Sequence, residues 1–499
     1  MQVIISSPTR VLLVSYTEKE LRDLTKFLTY KDKSTLFMYK KTLNNKWLKA
    51  NHPASYQEKI AILASQLERS LLVVEDNKYY ITPSMMEYTK DKFKYEVLND
   101  YRQYPLMKPM EWKNTFPFKP YEYQSESVIR LLKARHGYVE LCTGAGKSFV
   151  IYKLAQMIGL QGIIITPSLS IWQELYDDMV FYFGKENVGS YCGVKKDLGK
   201  LFTVAVSDSI AQLKEGTEEY KFIRKSQFFI MDESHTIAAE TLERMANVIL
   251  EPVPYRFFVS GTQTDPYEGL LVNNTIGTFV YRLTTREGID GGYLCPLEFR
   301  IVNIGTSDPK YNVKDIAKMK RVHFNENRNI AMWIAKFVNA MWNLKQESTL
   351  VLVNDISQIA ILNKLITVPM NYIHGNTISK ADLEKYGITK VNMKDELFKF
   401  NSGISKCLVG TVCIATGTNM YPTHNTINWQ GGASEILTRQ GTIGRSVRKL
   451  ENSKYKDNHK PKLVTKVWDF NVHDIKDMSR HLELREKWYR DATDNVKRI

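Results

Sequence analysis

Cysteine is scarce in this chain of 499 residues, and its five cysteines form no C-x-x-C pair. This scarcity argues against a disulfide framework and against zinc or iron–sulfur sites, and it indicates a reducing compartment. Acidic residues are outnumbered, because 54 Asp and Glu face 69 Lys and Arg, a net charge of +15. The sequence also lacks an apolar run of the roughly 18 residues that a membrane span needs. We therefore expect a cytoplasmic protein without membrane contact, whose charge suits a polyanionic partner.

The most informative segment is residues 140–148, Glu-Leu-Cys-Thr-Gly-Ala-Gly-Lys-Ser. The sequence predicts a short strand at 138–141 and, from an apolar stripe at helical spacing, a helix after Lys147. Glycines would let backbone N–H groups approach phosphates, with the Lys147 ammonium on the outer phosphates and the Ser148 hydroxyl on Mg²⁺. Leu141 stands where the general G-x-x-x-x-G-K-S/T pattern has its first glycine. The predicted nucleotide contacts are Thr143, Gly144, Ala145, Gly146, Lys147 and Ser148.

A second acidic motif follows a continuous apolar run. Residues 228–231 predict a strand that is buried on both faces of a parallel sheet, and this strand ends at Asp232 and Glu233. Ligands bind at the carboxyl ends of such strands. Asp232 is predicted to hold Mg²⁺, mostly through water, and Glu233 to orient and deprotonate the attacking water. ATP and Mg²⁺ are therefore the expected cofactors.

These motifs resemble those of superfamily 2 helicases of the DExH type, and further segments extend the resemblance over residues 120–470. The resemblance implies an α/β fold, with two RecA-like parallel-sheet motor domains in tandem and a small α+β N-terminal accessory domain. In the first motor domain it implies that Gln124 binds the adenine edge. It also implies contacts with the nucleic-acid backbone by Pro167, Ser168, Asp208 and Ser209, and coupling of hydrolysis to strand movement by Ser260 and Thr262.

The second half of the chain extends the same resemblance. The segment from Thr411 resembles helicase motif V, in which Thr411 would contact a phosphate while Gly417 and Asn419 face the nucleotide. Residues 444–448, Gly-Arg-Ser-Val-Arg, resemble motif VI, whose arginines, here Arg445 and Arg448, reach across an interdomain cleft to the γ-phosphate. An arginine supplied in this way is worth on the order of 10³ to 10⁵ in turnover.

Motif VI departs from the usual pattern at its glutamine. Gly441 stands at that position, and Gln440 lies one residue upstream, so that a bulge would be needed to restore the register. After this motif come six lysines, which we interpret as solvated loop residues rather than as a phosphate grip: Lys449, Lys454, Lys456, Lys460, Lys462 and Lys466.

We predict four parts along the chain. Four prolines between 105 and 120 mark the first boundary, and Gly291-Gly292 offers a hinge at the second. In the accessory part we expect a strand at 10–14, helices near 18–28 and 57–67, and a hairpin at 71–82. The parts are the accessory domain 1–110, motor domains 111–292 and 293–472, and a charged helical tail 473–499.

The resemblance is narrower in several short stretches, among them residues 283–291, 297–301 and 467–469. These stretches resemble the UvsW-type group of phage recombination and branch-migration helicases. This implies a monomeric ATP-dependent DNA helicase that remodels branched or forked DNA in recombination, repair or replication, with other proteins of those processes as candidate partners. Two alternatives stay open. An ATP-dependent RNA helicase shares every motor motif, and a duplex-DNA translocase subunit of a larger assembly would move without separating strands.

Overall fold

The computed structural model describes residues 1–116, 119–193, 195–237, 239–261, 269–308, 315–375, 378–414, 419–435 and 437–499. The chain forms two compact units, one of Met1–Val139 with Ser148–Tyr281 and the other of Glu140–Lys147 with Arg282–Ile499. This partition differs from the four predicted parts, whose boundaries stay a prediction. Among the described helices, none has both the length and the apolar character needed to cross a membrane.

A small α+β layer begins the first unit. Its elements are β1 (Gln2–Ser7), β2 (Arg10–Ser15), α1 (Glu18–Leu28), β3 (Thr29–Lys31), α2 (Lys33–Leu43), α3 (Lys46–Asn51), α4 (Pro53–Ser65), β4 (Glu68–Ser70), β5 (Val73–Glu75), β6 (Lys78–Ile81), α5 (Pro83–Thr89) and β7 (Glu96–Asp100). Five strands form one sheet in the order β5-β6-β2-β1-β7, in which only β1 and β7 pair in parallel. Thr17 and Glu20 cap α1 reciprocally, which explains why this helix begins where the sequence predicts.

The segment predicted as a linker is tied to the helices beside it. The backbone N–H groups of Lys108 and Met110 donate to the carbonyls of Ile158 and Gln156, at 2.9 and 3.1 Å. Trp112 packs against Phe183 with ring centroids 5.1 Å apart. The described part of this segment therefore continues the core of the first unit.

A largely parallel sheet carries the acidic motif. The elements of this region are α6 (Glu122–Ala134), β8 (His136–Leu141), α7 (Lys147–Ile158), β9 (Gly162–Thr166), α8 (Leu169–Phe183), β10 (Val188–Cys192), β11 (Lys195–Asp197), β12 (Phe202–Val206), α9 (Ser207–Ala211), α10 (Glu218–Arg224), β13 (Phe228–Asp232), α11 (Ala239–Glu243), β14 (Tyr255–Ser260), α12 (Gly269–Ile276), β15 (Thr278–Leu283) and α13 (Thr285–Asp290). The strand order is β11-β10-β12-β9-β13-β14-β8-β15. Every residue of β9, β12 and β13 is buried, as their apolar runs require in a sheet covered on both faces.

A second sheet organises the other unit. The elements are β16 (Leu297–Ile304), α14 (Ile316–Lys320), α15 (Arg328–Lys345), β17 (Thr349–Val353), α16 (Ile356–Leu365), β18 (Met370–Ile373), α17 (Lys380–Tyr386), α18 (Met393–Asn401), β19 (Cys407–Gly410), β20 (Asn425–Trp429), α19 (Gly444–Ser446), β21 (Thr465–Val472), α20 (Lys476–Ala492) and β22 (Val496–Arg498). The seven strands run β18-β19-β17-β20-β21-β16-β22, and their described pairs are parallel. The predicted α/β class with RecA-like parallel sheets is confirmed.

The predicted helical tail contains more than a helix. After α20, the edge strand β22 pairs in parallel with β16. Arg485 anchors the inner face of α20 and is 2% exposed. Its Nε and one terminal nitrogen donate to the two carboxylate oxygens of Asp469, at 2.7 and 3.0 Å. Tyr489 donates its hydroxyl proton to the same carboxylate at 2.7 Å. The tail is thus part of the fold of the second unit.

We expect Arg485→Ala to lower the free energy of unfolding by about 3–5 kcal/mol, because it leaves the Asp469 carboxylate buried without its cation. Urea denaturation followed by circular dichroism measures this change. Arg480→Ala is the matched control on the same helix, since Arg480 is 63% exposed and lies 3.8 Å from Asp477; its effect should stay below about 1 kcal/mol. Equal stability of the two variants would contradict the anchoring role.

Candidate functional site

The phosphate-loop residues, 142–146, connect β8 to α7, as the sequence predicts. Gly144 and Gly146 have φ angles of +90° and +73°, in the left-handed region that a side chain disfavours. Helix α7 begins at Lys147, so that its N-terminal N–H groups follow directly on the loop. Burial raises the pKa of the Cys142 thiol to about 12, which keeps this cysteine protonated and unreactive.

The phosphate loop contacts the arginine turn, residues 444–448, inside the second unit. A Cβ atom on Gly144 would lie 3.2 Å from Cγ2 of Val447 and 3.9 Å from Cγ of Arg448. A Cβ on Gly444 would lie 2.6 Å from Cβ of Thr143, a distance that real structures do not tolerate. The absence of side chains at the two glycines is therefore what lets loop and turn approach.

The two arginines of the turn lie in different surroundings. Arg445 is 2% exposed. Arg448 is partly buried, and its Nε has no hydrogen-bond partner among the described residues. A buried donor without an acceptor costs about 1–3 kcal/mol. The arrangement suits a bound oxyanion beside the phosphate loop.

A π-helix precedes the arginine turn. Residues Leu437–Ile443 are wound as a π-helix, whose backbone hydrogen bonds span one residue more than those of an α-helix. This is the kind of bulge that the displaced position of Gln440 calls for. Gln440 is 4% exposed within it, and its assignment as the motif VI glutamine stays a prediction.

The acidic motif lies at the carboxyl end of β13, in the first unit. Asp232 is 6% exposed, and its Oδ1 accepts the backbone N–H of Glu233 at 2.9 Å. Glu233 has φ and ψ of +46° and +42°. A left-handed conformation at a residue with a long side chain costs roughly 1–3 kcal/mol, and such strain concentrates at functional sites. The surrounding contacts must therefore hold Glu233 in place.

Those contacts come from the end of the neighbouring strand β14 and from the turn that follows Glu233. Oε2 of Glu233 accepts the backbone N–H of Gly261 at 3.2 Å and lies 3.4 Å from Nδ1 of His235. The same Nδ1 lies 2.6 Å from Oγ of Ser260. The acidic motif and the predicted coupling element thus form one network of hydrogen bonds. The sequence analysis assigns no individual role to His235 or Gly261. Their positions inside the acidic motif and the coupling element are the only sequence features that could have pointed to these contacts.

The predicted adenine contact and the predicted metal ligand Ser148 both belong to the first unit. Gln124 is 3% exposed, and its amide oxygen accepts the backbone N–H of Tyr121 at 3.0 Å, which fixes the orientation of the side chain. Ser148 is exposed and lies one helical turn before Tyr152 on α7. The hydroxyl of Tyr152 donates to Asp178 at 2.7 Å.

The predicted nucleic-acid contacts of the first unit follow two paired strands. Thr166 at the end of β9 is the register partner of Val206 at the end of β12. Pro167 and Ser168 come directly after the first strand, while Asp208 and Ser209 lie in the helix that follows the second. The two predicted turns therefore lie next to each other, at the carboxyl ends of two neighbouring parallel strands. Ser168 also caps α8, where its Oγ accepts the N–H of Ile171.

The second unit contains the other predicted contacts. Thr411 follows β19, is 7% exposed, and donates its backbone N–H to the carbonyl of Ile373 at 3.1 Å. The carbonyl of Asn419 accepts a hydrogen bond from Asn401 at 2.8 Å. Two predicted site residues, Gly417 and Thr262, lie outside the described residues.

Comparison with known proteins finds similarity to a restriction-enzyme subunit family and to a DNA translocase. The family model described as "Type III restriction enzyme, res subunit" matches residues 117–264. A DNA 3'-5' translocase, XPB2, from Sulfurisphaera tokodaii is 25% identical over 260 residues, which cover 49% of this chain and 56% of that protein. The chain thus matches little more than half of the translocase.

Two further similarities cover more of the chain. The ATP-dependent DNA helicase uvsW of Enterobacteria phage T4 is 22% identical over 372 residues, 70% of this chain and 68% of that protein. A solved fragment of a putative HsdR subunit of a type I restriction enzyme from Vibrio vulnificus has a TM-score of 0.53 at 15% identity, and covers 77% of this chain and 69% of that chain. At that identity the likeness concerns the fold alone. Residues 117–264 thus match the model of the res-subunit family, and the chain resembles superfamily 2 helicases of the UvsW type.

Proposed function

We propose that this protein hydrolyses ATP and uses the free energy to move along DNA and remodel branched or forked DNA. The observation that carries the proposal is the contact between the glycine-rich phosphate loop and the arginine turn. A loop with left-handed Gly144 and Gly146 exposes backbone N–H groups to phosphate oxygens. Arg448, whose Cγ lies next to Gly144, brings a cation to the same loop. Phosphoryl transfer depends on this kind of charge stabilisation.

The acidic motif provides the second half of the chemistry. Glu233 is the proposed general base, which takes the proton of the attacking water. Ser148 and Asp232 offer only oxygen donors, the ligands that Mg²⁺ prefers, and we assign them as its protein ligands. Bound Mg²⁺ would neutralise charge on the phosphate oxygens. Lys147 would bind the outer phosphates.

DNA is the proposed substrate for two reasons. The relatives described above are a DNA translocase and a DNA helicase. The chain also carries a net charge of +15, which suits a polyanion. Remodelling of branched DNA in recombination, repair or replication is the finer part of the proposal, and it rests on the resemblance to the UvsW type.

Steady-state ATP hydrolysis in the presence of different nucleic acids tests the substrate. We expect a synthetic four-way junction to stimulate hydrolysis most, with single-stranded and duplex DNA weaker and RNA weakest, each at one stated salt concentration because phosphate contacts are salt-dependent. Strongest stimulation by RNA would overturn the substrate while keeping the motor. Stimulation by duplex DNA without strand displacement would favour the translocase alternative.

Glu233→Gln should lower kcat for ATP by about 10²- to 10⁴-fold, because it removes the general base and leaves the shape of the side chain. A phosphate-release assay measures kcat, and calorimetry should find ATP binding retained. The matched control is Glu218→Gln, since Glu218 is 87% exposed and pairs only with Lys221 in the described contacts. A kcat for Glu233→Gln equal to that of the control would sink the assignment.

Gly144→Ala separates backbone strain from loop packing when it is compared with Gly199→Ala. Both glycines have φ near +90°, but a Cβ on Gly199 meets nothing within 4 Å. Both changes should cost about 1–2 kcal/mol in stability. Only Gly144→Ala should also weaken ATP binding, by about tenfold or more, because its methyl group displaces the phosphate loop. Equal ATP affinity of the two variants would refute the role of the loop.

A further inference from the structure

Lys462 differs from the other lysines that follow the arginine turn. It is 3% exposed, and its Nζ donates to the carbonyl of Ser446 at 3.4 Å. By contrast, Lys460 is exposed and lies 3.9 Å from Glu347, and Lys466 pairs with the same carboxylate at 3.5 Å. The interpretation of these lysines as a solvated loop therefore fails for Lys462, whose ammonium faces the inside of the second unit.

The carbonyl that Lys462 holds belongs to a turn fixed on several sides. Ser446 also accepts a hydrogen bond at its carbonyl from Oγ1 of Thr465, at 2.8 Å. Its hydroxyl lies 2.7 Å from Oγ1 of Thr426. The next carbonyl, of Val447, accepts the N–H of Cys295 at 2.7 Å. These contacts attach the arginine turn to β20, to β21 and to the segment before β16.

The charges around Lys462 are unusual for a buried lysine. Burial, together with the nearby charge of Arg448, lowers the pKa of its ammonium to about 8, while Cys295 and Glu451 act in the opposite direction. The group is therefore still mostly protonated at pH 7. No carboxylate in the described part of the chain hydrogen-bonds this ammonium, and its desolvation is therefore costly. A neutral residue of similar size would avoid that cost, so the charge calls for a reason other than stability.

We infer that Lys462 is a positioning residue for the arginine turn, and that its ammonium fixes the carbonyl of Ser446 and thereby the direction in which Arg448 leaves the turn. Only Val447 separates Ser446 from Arg448, so a shift of the turn moves the guanidinium directly. The positive charge of Lys462 also repels the guanidinium of Arg448, which favours conformations of Arg448 that point away from the interior. Lys462 itself contacts no substrate. This inference rests on the proposed ATP hydrolysis and adds a residue to its machinery.

The test compares three variants of the full chain with the wild type: Lys462→Met, Lys462→Arg and Lys406→Met. Lys406 is the matched control, because burial also lowers its pKa and it too donates to a backbone carbonyl, that of Gly403. For each protein, kcat and KM for ATP are measured between pH 6.5 and pH 9.5 in the presence of DNA, together with the melting temperature.

In the wild type we expect kcat to fall as the pH rises through about 8, because Lys462 then loses its proton. Lys462→Met should have a kcat about tenfold to a hundredfold lower at pH 7, a KM close to the wild type, and no step near pH 8. Lys462→Arg should recover most of kcat at pH 7 and move the alkaline fall upward, since a guanidinium keeps its proton above pH 12. Lys406→Met should match the wild type.

Wild-type kcat and an unchanged pH profile in Lys462→Met would overturn the inference. If that variant does not fold, a wild-type profile that is flat through pH 8 would overturn it, and so would a Lys462→Arg variant whose fall stays at pH 8. A lower melting temperature with normal kcat would assign Lys462 a purely structural role, which also overturns the inference. A wild type without any ATP hydrolysis would instead refute the proposed function.

Discussion

The left-handed backbone of Glu233 is the constraint on which the first unit's chemistry depends. The strand β13 places Asp232 at the carboxyl end of the sheet, and the chain turns sharply there, so that the carboxylate of Glu233 also lies at this end. The N–H of Gly261, at the end of the neighbouring strand β14, and the ring of His235, two residues after Glu233, contact that carboxylate. His235 also contacts Ser260, the last residue of β14. A movement of the Glu233 carboxylate would therefore displace the segment that follows β14. Local strain at Glu233 is thus balanced by one local contact, from His235, and by one from Gly261 at the end of the next strand of the sheet.

In the second unit the corresponding constraint is close approach. Gly144 and Gly444 lack the side chains that would separate the phosphate loop from the arginine turn. The turn is then fixed by hydrogen bonds to carbonyls, including the one from Lys462. Glycine at two positions and a buried cation at a third therefore determine where Arg448 lies. These are packing requirements. They explain why the position of the short phosphate loop depends on Gly444 and Lys462, which lie about 300 residues further along the chain.

Much of this arrangement could be predicted from local patterns. The apolar run before Asp232 is a buried strand, and the glycine loop lies between a strand and a helix, because burial and backbone freedom act on neighbouring residues. The strand β22, the packing of residues 105–113 on α7 and α8, and the burial of Lys462 were not predictable in this way. Each depends on a partner far along the chain, such as β16 or Ser446, and the local sequence carries no trace of it. The site roles of single residues remain predictions.

The resemblance implies that Ser260 couples hydrolysis to strand movement, and the contact with His235 joins Ser260 to the acidic motif. The most direct measurement is the number of base pairs displaced per ATP hydrolysed by Ser260→Ala, compared with the wild type on the same forked DNA. This change removes the hydroxyl group that lies 2.6 Å from the His235 ring and leaves Glu233, Asp232 and the phosphate loop in place. We predict ATP hydrolysis within a few-fold of the wild type, with displacement per ATP greatly reduced. An unchanged ratio of displacement to hydrolysis would contradict the proposed coupling.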